Sequence, residues 1–527
     1  MTSIAAVRGR GRRLTRTMLA VGTSLGLIAS VAACGSSTSS ADSSSITVAV
    51  AAAPVSLDPA KNNNSPDSTL IMDLAYEPLI NLSGDGKLTP GLATSWKYTD
   101  DAQKVFQLTL RDGVKFSDGS PLTAESVVNS IQHEKEANGP VAVYVNQIDT
   151  AVAIDDKTVQ LNLVRSNSTI AFTLTQRFLI GSIVGPAGLA SDKALANATA
   201  GAGQYMLDSA ATVANDHYTF VPNPYYYDQS AIKFKKFTVR VIANPQTALS
   251  ALKSGTIAYA GGAFSTADQA KSAGLTVSSA ESGWYAAFLF DRDGALVPAL
   301  KEQKVRQALN YAIDRKSIVK ALFGEYGTPG DEITIAGYED VGFDPDYNDH
   351  YTYDPAKAKE LLAEAGYPDG FTMTVGASPV YGDGVEIAQA MASDWEKIGV
   401  TAQIKTYSTI GDIVTPWLGK ELPVVTGNYD AQPMFITAGQ ALAKDAGTFN
   451  PFESEDPELT RLIDSAYAET DPDKQPAAWA AVTDRVVDLG WFVPLGSGAL
   501  LYYSDKDLKG IELSPTQFVP NPTLFHY

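Results

Sequence analysis

Phe106-Gln107-Leu108-Thr109-Leu110-Arg111-Asp112-Gly113-Val114-Lys115-Phe116 alternates apolar and polar residues as far as Leu110. It then meets Asp112-Gly113, a dipeptide suited to a two-residue turn that needs positive φ. The period of two predicts a strand, and Val114-Lys115-Phe116 is expected to return beside it as the second arm of a β-hairpin. Asp118-Gly119-Ser120-Pro121 turns the chain again. Thr123 is placed to cap a helix whose buried stripe is Val127, Val128 and Ile131.

On the N-terminal side, Ile46-Thr47-Val48-Ala49-Val50 reads as a short buried strand. The polar run Ser56 to Pro66 follows, which turn chemistry alone would make an ordinary surface loop. From Asp67 a helical pattern puts Leu70, Ile71, Leu74 and Ala75 on one face and stops near Glu77-Pro78. On the C-terminal side, Pro245 to Leu252 is a short helix closed by Gly255. Val305, Leu309, Ala312 and Ile313 share a helix face, and Asp314 can cap the next helix. Asp354 and Pro355 open a further helix, as cap and first residue, and Gly366 ends it.

The chain begins with Arg8, Arg10, Arg12, Arg13 and Arg16, no acid, and then an apolar run from Met18 to Ile28, the order of a secretory signal. That run is too short and too interrupted by Gly and Ser for the ~20-residue helix that spans a bilayer, so cleavage is expected. The single cysteine stands in Val31-Ala32-Ala33-Cys34, which resembles the bacterial lipobox. The resemblance implies cleavage after residue 33 and acylation of Cys34, with two or more acyl chains anchoring stably where one is marginal. Arg12-Arg13 hints at twin-arginine export, but Thr15 sits where that signal prefers a large apolar residue, and the route stays open.

Cleavage takes away five arginines and no acid, and so moves the formal charge from −19 to −24. A surface this acidic repels nucleic acid and anionic headgroups, which excludes DNA-binding and polybasic membrane-surface roles. With Cys34 acylated no thiol remains for disulfides or metal sites, so stability must come from packing. Residues 34–45 are nearly all Ser, Thr, Gly and Ala, a flexible tether. The mature chain exceeds what one core usually serves, and two or three domains are expected.

Tyr76-Glu77-Pro78-Leu79, Leu92-Ala93-Thr94-Ser95-Trp96, the stretch 106–116, Asp118-Gly119 and Leu122 to Val128 form an ordered set of motifs. The set resembles extracellular solute-binding protein family 5, the receptors of ABC importers for peptides, nickel chelates and related solutes. Gly201 to Tyr205, Pro222-Asn223-Pro224-Tyr225-Tyr226 and Lys304 to Val319 continue it along nearly all of the mature chain. One departure is Ala258, where the family usually has Asp.

The resemblance implies an α/β three-lobe periplasmic-binding-protein-like clamshell, the large bilobal type with an inserted extra lobe. Lobe I would comprise residues 46–82, 197–289 and 488–527, the inserted lobe II 83–196, and lobe III 290–487. The chain crossings near Leu289-Phe290-Asp291 and Leu489-Gly490-Trp491 would form the hinge. Implied partners are a small peptide-like solute and ABC permease subunits. The chain would act as a monomer on the outer face of the cell membrane, held by its lipid and facing the extracellular or periplasmic space.

The candidate ligand-binding residues follow from that alignment. Asn63, Asn64 and Ser65 fall where a ligand-facing loop lies. Trp284 and Tyr285 precede the strand entering lobe III, serving either the ligand or hinge packing. Phe435 stands near the place of a family tryptophan. Peptide receptors of the family carry an aspartate just beyond it for the α-ammonium of the peptide. Counted from Asp430, this chain has Ala438 and Gly439 there, and the next acid is Asp445. Either Asp445 substitutes, or the ligand lacks a free amino terminus.

An enzyme is not expected. His133, His217, His350 and His526 are scattered, lack metal-ligand spacing and are expected to be mostly exposed, and no nucleophile elbow, zinc motif or phosphate loop occurs. Asp344, Asp346 and Asn348 mimic the start of a calcium loop, but Asp349 and Pro355 occupy positions that want Gly and Glu. No cofactor or metal is expected. A non-peptide solute (an oligosaccharide, a metal chelate or another metabolite), a sensory binding subunit and a secreted enzyme of the same fold are the alternatives.

Overall fold

The computed structural model describes residues 44–191, 193–338 and 342–527. The signal segment, Cys34 and nearly all of the tether lie outside the described residues. Among those described, no helix is long and apolar enough to cross a membrane.

One mixed sheet of eleven strands organises the chain. Its centre is a pair of long antiparallel strands, Thr276–Leu289 and Phe492–Ser504, in register from Thr276 opposite Ser504 to Phe288 opposite Phe492. Beyond the second of these, Tyr259–Gly261 leads to Ser45–Val50, which lies parallel to Lys236–Val241 and is followed by two antiparallel strands. The expected strand at 46–50 is thus an interior one, with Ile46, Val48 and Val50 buried as a fully covered parallel strand requires. On the other side the first long strand pairs with Val424–Asp430, which lies parallel to Thr372–Ala377, itself parallel to Thr401–Thr406. The long pair therefore carries the backbone from one half of the sheet to the other. Its register breaks between Glu281 and Gly283 and between Tyr285 and Ala286, local bends of the kind β-bulges produce. Gly283 is required at the first break, because a Cβ there would come 2.4 Å from the Tyr429 carbonyl oxygen.

A separate four-stranded antiparallel sheet has the order Ala93–Tyr98, Val105–Leu110, Thr158–Leu163, Ile148–Ala153. Helix Ala124–Ala137 packs on it, started by a capping box in which the Thr123 side chain accepts from Ser126 N–H while Ser126 caps Thr123 N–H. The expected hairpin at Asp112-Gly113 does not form. Both edges of Val105–Leu110 are taken, one by the strand just before it, Ala93–Tyr98, and the other by the distant Thr158–Leu163, so Val114 to Phe116 have no free edge to join. They close on themselves instead, with Phe116 N–H donating to Ser120 and Leu122 N–H to Val114, while the Val114 and Phe116 side chains are buried. Gly113 does adopt positive φ, at 72°.

The remaining helix expectations hold. Ser65 caps Pro66–Ala75, Asp314 caps Arg315–Phe323 and Asp354 caps Pro355–Glu364. Pro245–Lys253 is capped by Asn244 and followed by Gly255 at φ 69°.

Candidate functional site

The polar loop after the first strand is a built structure. Asn62 is fully buried, and its amide donates to the carbonyls of Ser56 (2.7 Å) and Asp58 (2.8 Å). The buried Asp58 carboxylate accepts from Ala60 N–H and meets His133 Nε2 at 3.0 Å and Lys61 Nζ at 3.2 Å. Asn63 Oδ1 accepts from the Ser68 hydroxyl at 3.3 Å, and Ser65 Oγ accepts from Ser68 N–H, so both residues start the following helix. Asn64 is left to line a cavity of about 430 Å³.

Three parts of the chain wall this cavity. Asn64 comes from the loop, Pro140 to Tyr144 from the segment after helix Ala124–Ala137, and the rest from 381–449. Tyr381 and Asp430 stand just beyond or at the ends of the parallel strands Thr372–Ala377 and Val424–Asp430. The carboxyl ends of parallel strands are where open α/β sheets hold ligands. Gln440 and Gly439 come from the irregular turn Ala438–Leu442. Hydrogen bonds fix the lining aromatics: Tyr381 donates to the Asn428 carbonyl (2.7 Å), Tyr429 to Gln440 (2.8 Å) and Tyr144 to Gln432 (3.3 Å). Burial pushes the Tyr144 phenol up to about 12, so it stays a neutral donor.

Among the lining residues Asp430 alone carries a formal charge. Its side chain is open to the cavity, and the protein around it raises its carboxyl above the usual range. Behind it the buried Arg177 pulls the other way. Arg177 donates to the Ala431 carbonyl at 2.6 Å and lies 3.8 Å above the Phe518 ring. Arg177 and Tyr144 thereby tie segment 140–178 to 429–432 across the cavity, and Gln103 adds a bond to the Thr470 carbonyl at 3.0 Å.

The other sequence candidates lie as follows. Trp284 is 1 % exposed, with its ring 5.4 to 5.5 Å from Tyr429, Phe492 and Phe288. Tyr285 packs 4.5 Å from Phe323 on the opposite side of the sheet. Phe435 is edge-on to Tyr467 and Trp479 in the core. Asp445 is exposed, one residue before Ala446, which lines the cavity. Sequence reasoning used Asp430 only as a counting mark; its place at the end of a strand was the signal.

Three of the four histidines are half-buried rather than exposed: His133 pairs with Asp58, His217 with Asp216 and His350 with Asp488. Among the described residues no cluster of His, Cys, Asp and Glu could hold a metal ion. The calcium-loop mimic is closed by its own hydrogen bonds, with Asn348 Oδ1 accepting from Asp331 and Glu332 N–H. Beside it Glu332 is buried and accepts from Asp344 N–H. Burial first, then Asp484, Asp344 and Asp331, push its carboxyl up to about 9, while burial and two acids raise Asp484 to about 6. Both folded values lie above the unfolded ones, so their stabilisation is complete at acid pH and is lost as pH rises through about 6 and then about 9. The unfolding midpoint is expected to fall across that window, and Glu332→Gln to flatten the fall. An unchanged slope in the variant would contradict this.

Comparison with known proteins accords with this architecture. Residues 87–440 match the model of bacterial extracellular solute-binding proteins, family 5 Middle, and the chain belongs to that family. The glutathione-binding protein GsiB of Pectobacterium atrosepticum is 26 % identical over 493 residues, covering 89 % of this chain and 91 % of that protein. The ABC transporter substrate-binding protein CtaP of Listeria monocytogenes superposes with a TM-score of 0.77 at 22 % identity, covering 92 % of this chain and 99 % of CtaP. DppA of Helicobacter pylori, solved with the peptide STSA, gives 0.73 at 21 % identity, covering 92 % and 98 %. The fold is the α/β clamshell of periplasmic binding proteins, and the chain is a bacterial extracellular solute-binding protein of family 5.

Proposed function

We propose that the chain is the lipid-anchored receptor of an ABC importer. It captures a short peptide or peptide-like solute in the cavity at Asn64 and Asp430 and hands it to the permease. The observation that carries this reading is the single formal charge of the cavity: one exposed carboxylate, flanked by amides and tyrosine hydroxyls. A carboxylate with neutral donors and acceptors around it suits a zwitterionic, amide-rich solute held by its ammonium. Its size falls within the range of small-molecule sites. That GsiB is named for glutathione and DppA was solved with a peptide supports the same class.

In this reading Asn64 and Gln440 meet the solute's amide groups, and Asp430 takes the role first sought at Asp445. Trp284, Tyr285 and Phe435 hold the frame. The lobes are 46–82 with 197–289 and 488–527, then 83–196, then 290–487. Closure is completed by the Arg177 and Tyr144 contacts. Cys34 bears the lipid, and the chain works as a monomer.

The test is a thermal-shift survey of the mature chain with Cys34 removed, against short peptides, their N-acetylated forms, glutathione, oligosaccharides and chelated metals. A true ligand at a hundredfold excess over Kd adds about 2.7 kcal/mol of apparent stability. Stabilisation by free-amine peptides is expected. Stabilisation only by blocked or non-peptide solutes would overturn the peptide assignment.

A further inference from the structure

The wall of the cavity at Asn64 and Asp430 is one-sided in its chemistry. Three tyrosines line it, and each gives its hydroxyl hydrogen to the wall itself: Tyr381 to the Asn428 carbonyl, Tyr429 to the Gln440 side-chain oxygen and Tyr144 to that of Gln432. Toward a solute these hydroxyls therefore offer lone pairs, and the Asp430 carboxylate adds more. The side-chain donors left among the lining residues are neutral, the amides of Asn64, Asn428, Gln432 and Gln440 and the hydroxyl of Thr448.

Among the described residues no cation stands in that wall. The basic residues within five positions of a lining residue are Lys61, Lys135 and Lys444, and each is engaged elsewhere: with Asp58 at 3.2 Å, with the Ile148 carbonyl at 2.8 Å and with Glu455 at 2.9 Å. Arg177 is 4 % exposed and gives a terminal N–H to the Ala431 carbonyl from its place over the Phe518 ring. Acids stand close by instead, since Asp383 and Asp445 lie within two positions of the lining residues Tyr381 and Ala446. The chain as a whole, at a formal −19, repels anions at longer range.

The two ends of a peptide are therefore treated unequally. An ammonium gains the Asp430 carboxylate, phenol oxygens and aromatic neighbours. A carboxylate drawn into the same space loses its water, meets Asp430 as a like charge and finds no cation in return. The carboxylate of a zwitterion is left at the mouth, in water.

Resting on the reading that Asp430 holds the ammonium of the solute, we propose that the cavity discriminates against carboxylates, and that its substrate class is net cationic: short peptides or peptide-like amines whose carboxyl end is blocked as an amide.

The experiment compares three pools of tripeptides with the same side chains by thermal shift of the mature chain with Cys34 removed. The first pool is free at both ends, the second is amidated at the carboxyl end, and the third is acetylated as well as amidated. The amidated pool is expected to reach half-maximal stabilisation at a concentration about tenfold or more below that of the free pool, and the acetylated pool to stabilise least. Glutathione, with two carboxylates to one ammonium, should need more than the free pool.

Equal or stronger stabilisation by the free pool, with the acetylated pool still weakest, would overturn this inference and leave the reading of Asp430 standing. An acetylated pool as effective as the amidated one would overturn the reading of Asp430 itself, and no stabilisation by any pool would overturn both. Val143, a lining residue 40 % exposed, offers a check on the charge argument. Val143→Lys adds an ammonium to the wall and should narrow the preference for the amidated pool over the free one. An unchanged preference would contradict the proposal.

Discussion

Trp284→Ala is expected to lower the unfolding free energy by about 3 to 5 kcal/mol, the cost of deleting a buried tryptophan and leaving a cavity. The indole is 1 % exposed and touches Phe288 on its own strand, Tyr429 on one neighbour and Phe492 on the other. It stands just beyond the first register break of the long strand pair, so its loss loosens both flanking strands at the point where they bend. Denaturant titration should show the drop. If the variant is assayed well below its unfolding midpoint, solute affinity should change far less than stability. A large loss of affinity with little loss of stability would place the indole against the ligand instead.

Asp430→Asn is expected to weaken binding of peptides with a free amino terminus about tenfold to a hundredfold, the equivalent of a charge-assisted hydrogen bond of about 1.5 to 3 kcal/mol. Asparagine keeps the shape and one acceptor and removes the charge. N-acetylated peptides, which have no ammonium, should bind the two forms alike. Acid should weaken binding to the native chain, because protonation of the raised Asp430 carboxyl removes the charge, and the variant should lack that dependence. Titration calorimetry of both forms against matched free and acetylated peptides reads all of this. Equal affinity of the two forms for the free peptide would show that the carboxylate has no part in recognition.

Much of the local structure was legible because its signals are local. Thr123, Asn244, Asp314 and Asp354 cap helices by bonds to amides two or three residues on, and nothing remote interferes. The hairpin at Asp112-Gly113 misled because alternation and a turn dipeptide say nothing about whether a strand's edges are free. Those of Val105–Leu110 are occupied, one by the strand 93–98 that precedes it and the other by 158–163, some fifty residues on. The family fold could be read from ordered motifs, several of which mark turns and caps, such as Gly113 at positive φ and Thr123 and Asp314 at helix starts.

The site was legible only in part. Asn64 lines a cavity, whereas Trp284 and Phe435 are buried in the core, since a large aromatic side chain serves a core as readily as a pocket. Asp430 was passed over because its place in the cavity depends on the strand ending there and on contacts such as that of Arg177, more than 250 positions away in sequence, with the next residue's carbonyl.

The most direct test of solute capture at Asp430 is a crystal structure of the mature chain with a stabilising peptide. The account predicts the peptide in the cavity between Asn64, Tyr144 and Gln440, with its ammonium nitrogen within hydrogen-bond distance of an Asp430 carboxylate oxygen. A peptide bound elsewhere, or bound there with no cationic nitrogen on Asp430, would contradict it.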